Sequence, residues 1–131
     1  MNILLWVLQV IMGLYFFGTG VIHFIIPPGL PAPMNWMYEL SPLLHAISGT
    51  AEILGGLGLI LPAITKIQTR LVPMAAAGLA LVMLGAVVFH LTRGEFANIG
   101  MNILLAAILA FIAYGRWRIA PHKDRSVVAL A

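Results

Sequence analysis

Between Ser41 and Pro62 the chain reads SPLLHAISGTAEILGGLGLILP, an apolar run with a single acid, Glu52, near its middle. About 20 such residues in a helix rising 1.5 Å each will cross a hydrocarbon core of roughly 30 Å. An ionised carboxyl at that depth costs about 2.5 to 3.5 kcal/mol on insertion scales. Glu52 must therefore turn toward other helices, find a hydrogen-bond partner, or carry a proton.

Three further apolar runs accompany this one. Of 131 residues, 62% are hydrophobic and 8% charged, against roughly 25% charged in a soluble domain. The fold class that follows is all-α, a polytopic membrane four-helix bundle. The runs predict helices over about Asn2–Ile26, Leu43–Leu61, Leu71–Leu91 and Asn98–Tyr114. Pro27-Pro28-Gly29 should end the first helix and Pro62 the second, with Pro73 in the first turn of the third. Met34–Leu40 reads as a short interfacial helix carrying Trp36 and Tyr38. The first run has no basic flank and is longer than a signal h-region, so it reads as a retained helix.

Charge and cysteine usage exclude several functions. The net charge of +3 does not point to nucleic acid, because the seven Lys and Arg lie mostly at the ends of apolar runs, as orientation signals do. Six of them fall on the side shared by the termini and the second-to-third link, against Arg93 alone on the other. This predicts a multi-pass protein of the inner (plasma) membrane, N-in/C-in, with both termini cytoplasmic and Trp6 and Trp117 at the inner interface. The chain has no Cys, so thiol–disulfide exchange and thiolate-held clusters are excluded, and a redox role would need a bound cofactor or a partner.

The polar residues within the spans gather toward the outer end. His23, His45 and His90 fall near one level there, with Asn98 and Asn102 opening the fourth helix and Asn98 placed to cap it. On the second helix His45, Ser48, Gly49, Glu52 and Gly56 follow i, i+3, i+4, i+7, i+11 spacing and share one face. The expected site is an outward-opening pocket formed by Glu52, His45, Ser48, Gly49, His23, His90, Asn102 and Tyr15, with Glu52 as its floor. Tyr15 and Thr19 are the candidate hydrogen-bond partners of Glu52. Gly18, Gly55, Gly56 and Gly85 are candidates for close helix packing. Each histidine has a simpler alternative, a ring nitrogen bonded to a headgroup, water or backbone. No tight His-rich spacing supports a metal site, and none is assigned; the catalytic residues stay unknown.

Three stretches in order carry a family likeness: Gly49-Thr50-Ala51-Glu52-Ile53-Leu54-Gly55-Gly56 followed by GLILP, then GAVVFHLTRGE over 85–95, then Ala113-Tyr114-Gly115-Arg116. Over residues 5 to 117 the chain resembles the DoxX-like family of small four-helix integral membrane proteins. That resemblance implies a transmembrane domain over 1–118, leaving 119–131 as a basic cytoplasmic tail. It also implies a Lys near the end of the first helix, in a G-x-x-K pattern, where this chain has Gly20-Val21-Ile22-His23. Activities linked to the family include thiosulfate:quinone oxidation, membrane oxidoreductase complexes and receptor assembly, so membership alone does not fix the chemistry.

Three functions remain open. The first is a non-catalytic binding or accessory subunit whose pocket takes a lipid-like or small apolar ligand, or which serves a partner membrane protein. The second is a quinone-linked oxidoreductase subunit in which Glu52 and the nearby histidines handle protons while a partner supplies electrons. The third is proton-coupled transport by an oligomer, for which glycine-rich faces make a homodimer the simplest form. Membrane lipids surround the chain in all three.

Overall fold

The computed structural model describes residues 1–125. Four long helices, α1 (Asn2–Ile25), α2 (Pro42–Thr65), α3 (Leu71–Arg93) and α4 (Phe96–Tyr114), account for most of them. Each lies in a helical stretch long and apolar enough to cross a membrane. A 3-10 segment, Ala32–Glu39, lies between α1 and α2, and a single π turn, Gly115–Ile119, extends α4. The links α1–α2 and α3–α4 meet at one end of the bundle, the linker end. The opposite, terminal end holds the start of α1, the α2–α3 turn and the end of α4.

Local chemistry sets most of the boundaries. Ile26 turns left-handed (φ 44°), donates its N–H to the Ile22 carbonyl, and leads into Pro27-Pro28, which offer no backbone donors. Ser41 caps α2 by accepting the Leu44 N–H at 3.2 Å, and Pro42 occupies the first helical position. Gly94 at φ 69° closes α3, its N–H reaching the His90 and Leu91 carbonyls.

Two helix boundaries differ from those the sequence predicts. Pro62 does not close α2: it lies inside the helix, buried, and the chain continues one further turn to Thr65 before Lys66 turns left-handed (φ 57°). A proline near a helix C-terminus removes one hydrogen bond and leaves the following turn intact. Nor does Asn98 cap α4: the helix begins at Phe96, with Glu95 at the cap position and no side-chain cap bond.

Packing follows hairpin order, α1 most extensively against α2 and α3 against α4, with α2 on α3 joining the hairpins. Met12, Phe16, Leu59, Leu79, Met83 and Leu109 fill the shared core. Bulky apolar side chains such as Leu14, Leu54, Leu81, Val88 and Leu104 point outward, exposed. An exterior of that kind is stable against lipid and costly in water.

The α1–α2 contact is close enough to require glycine. A Cβ at Gly56 would lie 2.6 Å from the Gly13 carbonyl oxygen, and one at Gly20 would lie 2.8 Å from the Ile53 nitrogen. Gly55 is pressed against Leu79 of α3, whereas Gly18 and Gly85 face open space and take no part in packing within the bundle. The small-residue seam therefore runs through Gly13, Gly20, Gly49 and Gly56.

Candidate functional site

The seam brings α1 and α2 together at the depth where their polar residues lie. Glu52 is buried, and its Oε2 accepts a 2.8 Å hydrogen bond from the Thr19 hydroxyl of α1. His23 Nε2 lies 3.8 Å from the same oxygen, and His23 Nδ1 is 2.8 Å from His45 Nδ1 across the helix pair. His45 Nε2 in turn is 2.8 Å from the Met37 carbonyl of the 3-10 segment. A chain of polar groups thus runs from mid-span Glu52 to the linker end.

The partners fix the tautomers. A carbonyl only accepts, so His45 must donate through Nε2, which leaves its Nδ1 an acceptor when the ring is neutral. His23 then donates through Nδ1, and its Nε2 presents a lone pair toward the Glu52 carboxyl. Each imidazole is therefore oriented to take a proton on the side facing Glu52 and release one on the side facing the linker end.

Above this chain lies a cleft of about 360 Å³ lined by His23, Phe24, Met37, Tyr38, Leu40 and His45 among others. Its walls are largely apolar, and the polar side chains among its lining residues are His23, His45 and Tyr38. Glu52 is not part of the lining; it sits behind His23, its Oε2 3.8 Å from His23 Nε2.

The 3-10 segment covering the cleft is pinned from several sides. Met37 is buried, the Tyr38 hydroxyl donates to the Pro27 carbonyl at 2.8 Å, and Glu39 pairs with Arg93 Nη2 at 2.7 Å. Arg93 Nε also holds Glu95 at 2.9 Å, and Glu95 accepts from His90 Nδ1. His90 packs edge-on against Trp36 at 5.2 Å between centroids, and Trp36 lies 6.0 Å from His23. His90 and Arg93 together hold the Glu95 carboxyl below its ordinary range, His90 contributing most.

Of the eight residues expected in the pocket, four join this system: Glu52, His23 and His45 directly, and His90 through Trp36 and the Glu95–Arg93 latch. Gly49 lies on the seam beneath them, in contact range of His23 and Phe24. Ser48 and Asn102 are half-buried and stand outside the hydrogen-bonded chain, and Tyr15 is exposed, with Thr19 alone bonded to Glu52. Among the described residues no group of three His, Cys, Asp or Glu is placed to hold a metal ion.

A second polar cluster at the terminal end is absent from the sequence expectations. Gln9 and Arg116 are both buried in it, although Arg116 reads in the sequence as one of the basic residues marking orientation. Its sequence signal is the ending Ala113-Tyr114-Gly115-Arg116, in which the missing side chain of Gly115 lets the end of α4 close on Leu5 of α1, where a Cβ would meet Leu5 at 2.5 Å.

Four apolar spans closing over a buried acid–histidine chain define a small polytopic membrane protein. The chain belongs to the DoxX-like family, whose sequence model matches residues 7–112. The match contains Glu52 and all three span histidines and stops short of Arg116. No curated protein matches the chain, and no solved structure matches it.

Proposed function

We propose that this protein is a membrane binding subunit whose cleft at the linker end receives a small apolar or lipid-like molecule, its polar group taking the place of the Met37 carbonyl on His45 Nε2. The observation that carries this reading is the convergence of two buried, mutually hydrogen-bonded imidazoles on a largely apolar cleft. Ligand sites commonly combine greasy walls with a few fixed polar groups, and about 360 Å³ suits one small molecule or one end of a longer one. The excess of Lys and Arg at the terminal end supports placing that end in the cytoplasm and the cleft on the outer side of the plasma membrane.

Native mass spectrometry of the full chain released from its own membrane tests this. A small apolar adduct should accompany the wild type and disappear in His45→Phe, which fills the cleft and removes both ring nitrogens. An identical adduct population in the two proteins would refute the site.

A second reading draws on the tautomer order. A carbonyl compound such as a quinone, taking the place of the Met37 carbonyl, would meet an N–H backed by a relay ending in a buried acid. In a quinone-linked complex a partner would supply two electrons, this chain would deliver one proton to the quinone oxygen on His45 Nε2, and water at the cleft mouth would deliver the second proton to the other oxygen. Reduction of a short-chain quinone by the protein with such a partner, slowed at least tenfold in Glu52→Gln, would favour it over simple binding.

A further inference from the structure

Arg116 is the second residue of the π turn at the terminal end and is 2% exposed. Its Nε donates to Gln9 Oε1 at 2.8 Å. Nη1 donates to Asn2 Oδ1 at 2.7 Å and to the Ala120 carbonyl at 3.0 Å. The guanidinium carbon lies 5.4 Å over the Trp6 ring. Every one of these partners is neutral. Nη2 is buried and has no hydrogen-bond partner among the described residues.

The chain has four acidic side chains, and each is engaged elsewhere. Glu39 and Glu95 pair with Arg93, Glu52 accepts from Thr19, and Asp124 accepts the Thr69 N–H. Withdrawing a guanidinium from water is costly, and neutral acceptors return only part of that cost. Amide oxygens from α1 therefore orient a planar fork of donors whose natural complement is a pair of anionic oxygens.

What covers the fork is the segment 120–125. It contributes the Ala120 carbonyl and the His122 ring, whose Nε2 is 3.2 Å from Gln9 Oε1 and whose plane meets Trp6 edge-on at 4.8 Å. The segment is tied to the α2–α3 turn by three hydrogen bonds. Thr69 N–H donates to Asp124 at 2.8 Å, the Thr69 hydroxyl to the His122 carbonyl at 3.0 Å, and Arg125 N–H to the Lys66 carbonyl at 2.8 Å. The Ala120 N–H also donates to the Gly115 carbonyl at 2.8 Å, closing the π turn; beyond it the cover is held by side-chain and loop bonds alone and opens more readily than the helices beneath it.

We propose that Arg116 is the centre of an anion site for a phosphate-type group, with residues 120–125 as its displaceable cover. Two oxygens of the anion take Nη1 and Nη2, and the Ala120 carbonyl gives up its place on Nη1. The site lies where spans meet headgroups, so the phosphate oxygens come either from an anionic lipid of the adjoining leaflet or from free phosphate.

The test uses the full chain in nanodiscs of phosphatidylglycerol or of a neutral, phosphate-free galactolipid, the latter with and without inorganic phosphate. Lipid retention by native mass spectrometry and the unfolding midpoint are read for wild type, Arg116→Gln, Thr69→Val and the exposed control Arg118→Gln. Wild type and Arg118→Gln should retain phosphatidylglycerol over the galactolipid by about tenfold, and Arg116→Gln should lose that preference. Thr69→Val, which loosens the cover without changing charge, should bind more tightly. A rise in midpoint with inorganic phosphate alone, in wild type and absent from Arg116→Gln, assigns the site to a free anion. If Arg116→Gln does not fold, Arg116→Lys, which keeps the charge and loses the fork, is read the same way. Equal retention by wild type and the Arg116 variant, or no effect of either anion on the wild type, overturns the site; binding unchanged in Thr69→Val overturns the cover.

Discussion

His45 spends its Nε2 proton on the Met37 carbonyl, and that one bond orders the rest of the chain down to Glu52. The Thr19 hydroxyl is the direct hydrogen-bond donor on the Glu52 carboxyl among the described residues. Thr19→Val keeps the volume and removes that donor, so it should destabilise the bundle by about 1 to 3 kcal/mol, the usual cost of a buried polar atom left unpaired. Glu52→Gln keeps an acceptor for Thr19 and should change stability by less than about 1 kcal/mol while removing the ionisable group. Unfolding titrations of both variants in detergent check the pair, and equal losses would show that Glu52 is bound by charge rather than by this bond.

At the scale of elements, the seam between α1 and α2 sets the register that lets the two histidines meet. Gly56→Ala places a methyl against the Gly13 carbonyl and the Phe17 nitrogen, backbone atoms that cannot step aside. It should cost about 1 to 3 kcal/mol and separate His23 from His45. Gly85→Ala, which meets nothing within 4 Å, should be neutral or stabilising by up to about 1 kcal/mol. The seam was only partly readable in the sequence. Glycines at helical spacing announce small faces, but which ones face a neighbour depends on helix rotation; Gly55 and Gly56 do so, and Gly18 and Gly85 do not. Proline was misleading at position 62, because its effect depends on how much helix follows it.

Across the whole molecule the two ends respond to acid in different pH windows. Burial, and then the charge of Arg116, push His122 from its ordinary 6.5 down to about 4. Its neutral form is the one that fits against Gln9 and Trp6, so the released segment takes up a proton more readily than the packed one. The contribution of His122 is complete above about pH 6.5 and is lost as pH falls toward 4, and NMR titration of its ring should follow detachment of 120–125 through that range. Glu95, held below its ordinary 4.5, keeps the linker-end latch closed until lower pH. The four spans were legible because long apolar runs have few alternative folds, and Glu52 was legible because a lone acid in such a run must be accommodated. The Arg116 cluster was not: its members are as far apart as Asn2 and His122, and an arginine at a span end reads equally well as an orientation signal. The stretch 126–131 of the expected tail lies outside the described residues.

The claim on which the functional reading stands is that His23 and His45 share a hydrogen bond inside the bilayer, with the Glu52 carboxyl 3.8 Å from His23 Nε2. Nitrogen-15 NMR of histidine-labelled full chain in lipid measures it directly, because an N–H···N bond transmits a scalar coupling between the two ring nitrogens. The structure predicts such a coupling between the Nδ1 atoms of His23 and His45, with the His23 Nε2 shift moving in Glu52→Gln. Uncoupled imidazoles whose shifts ignore that substitution would contradict it.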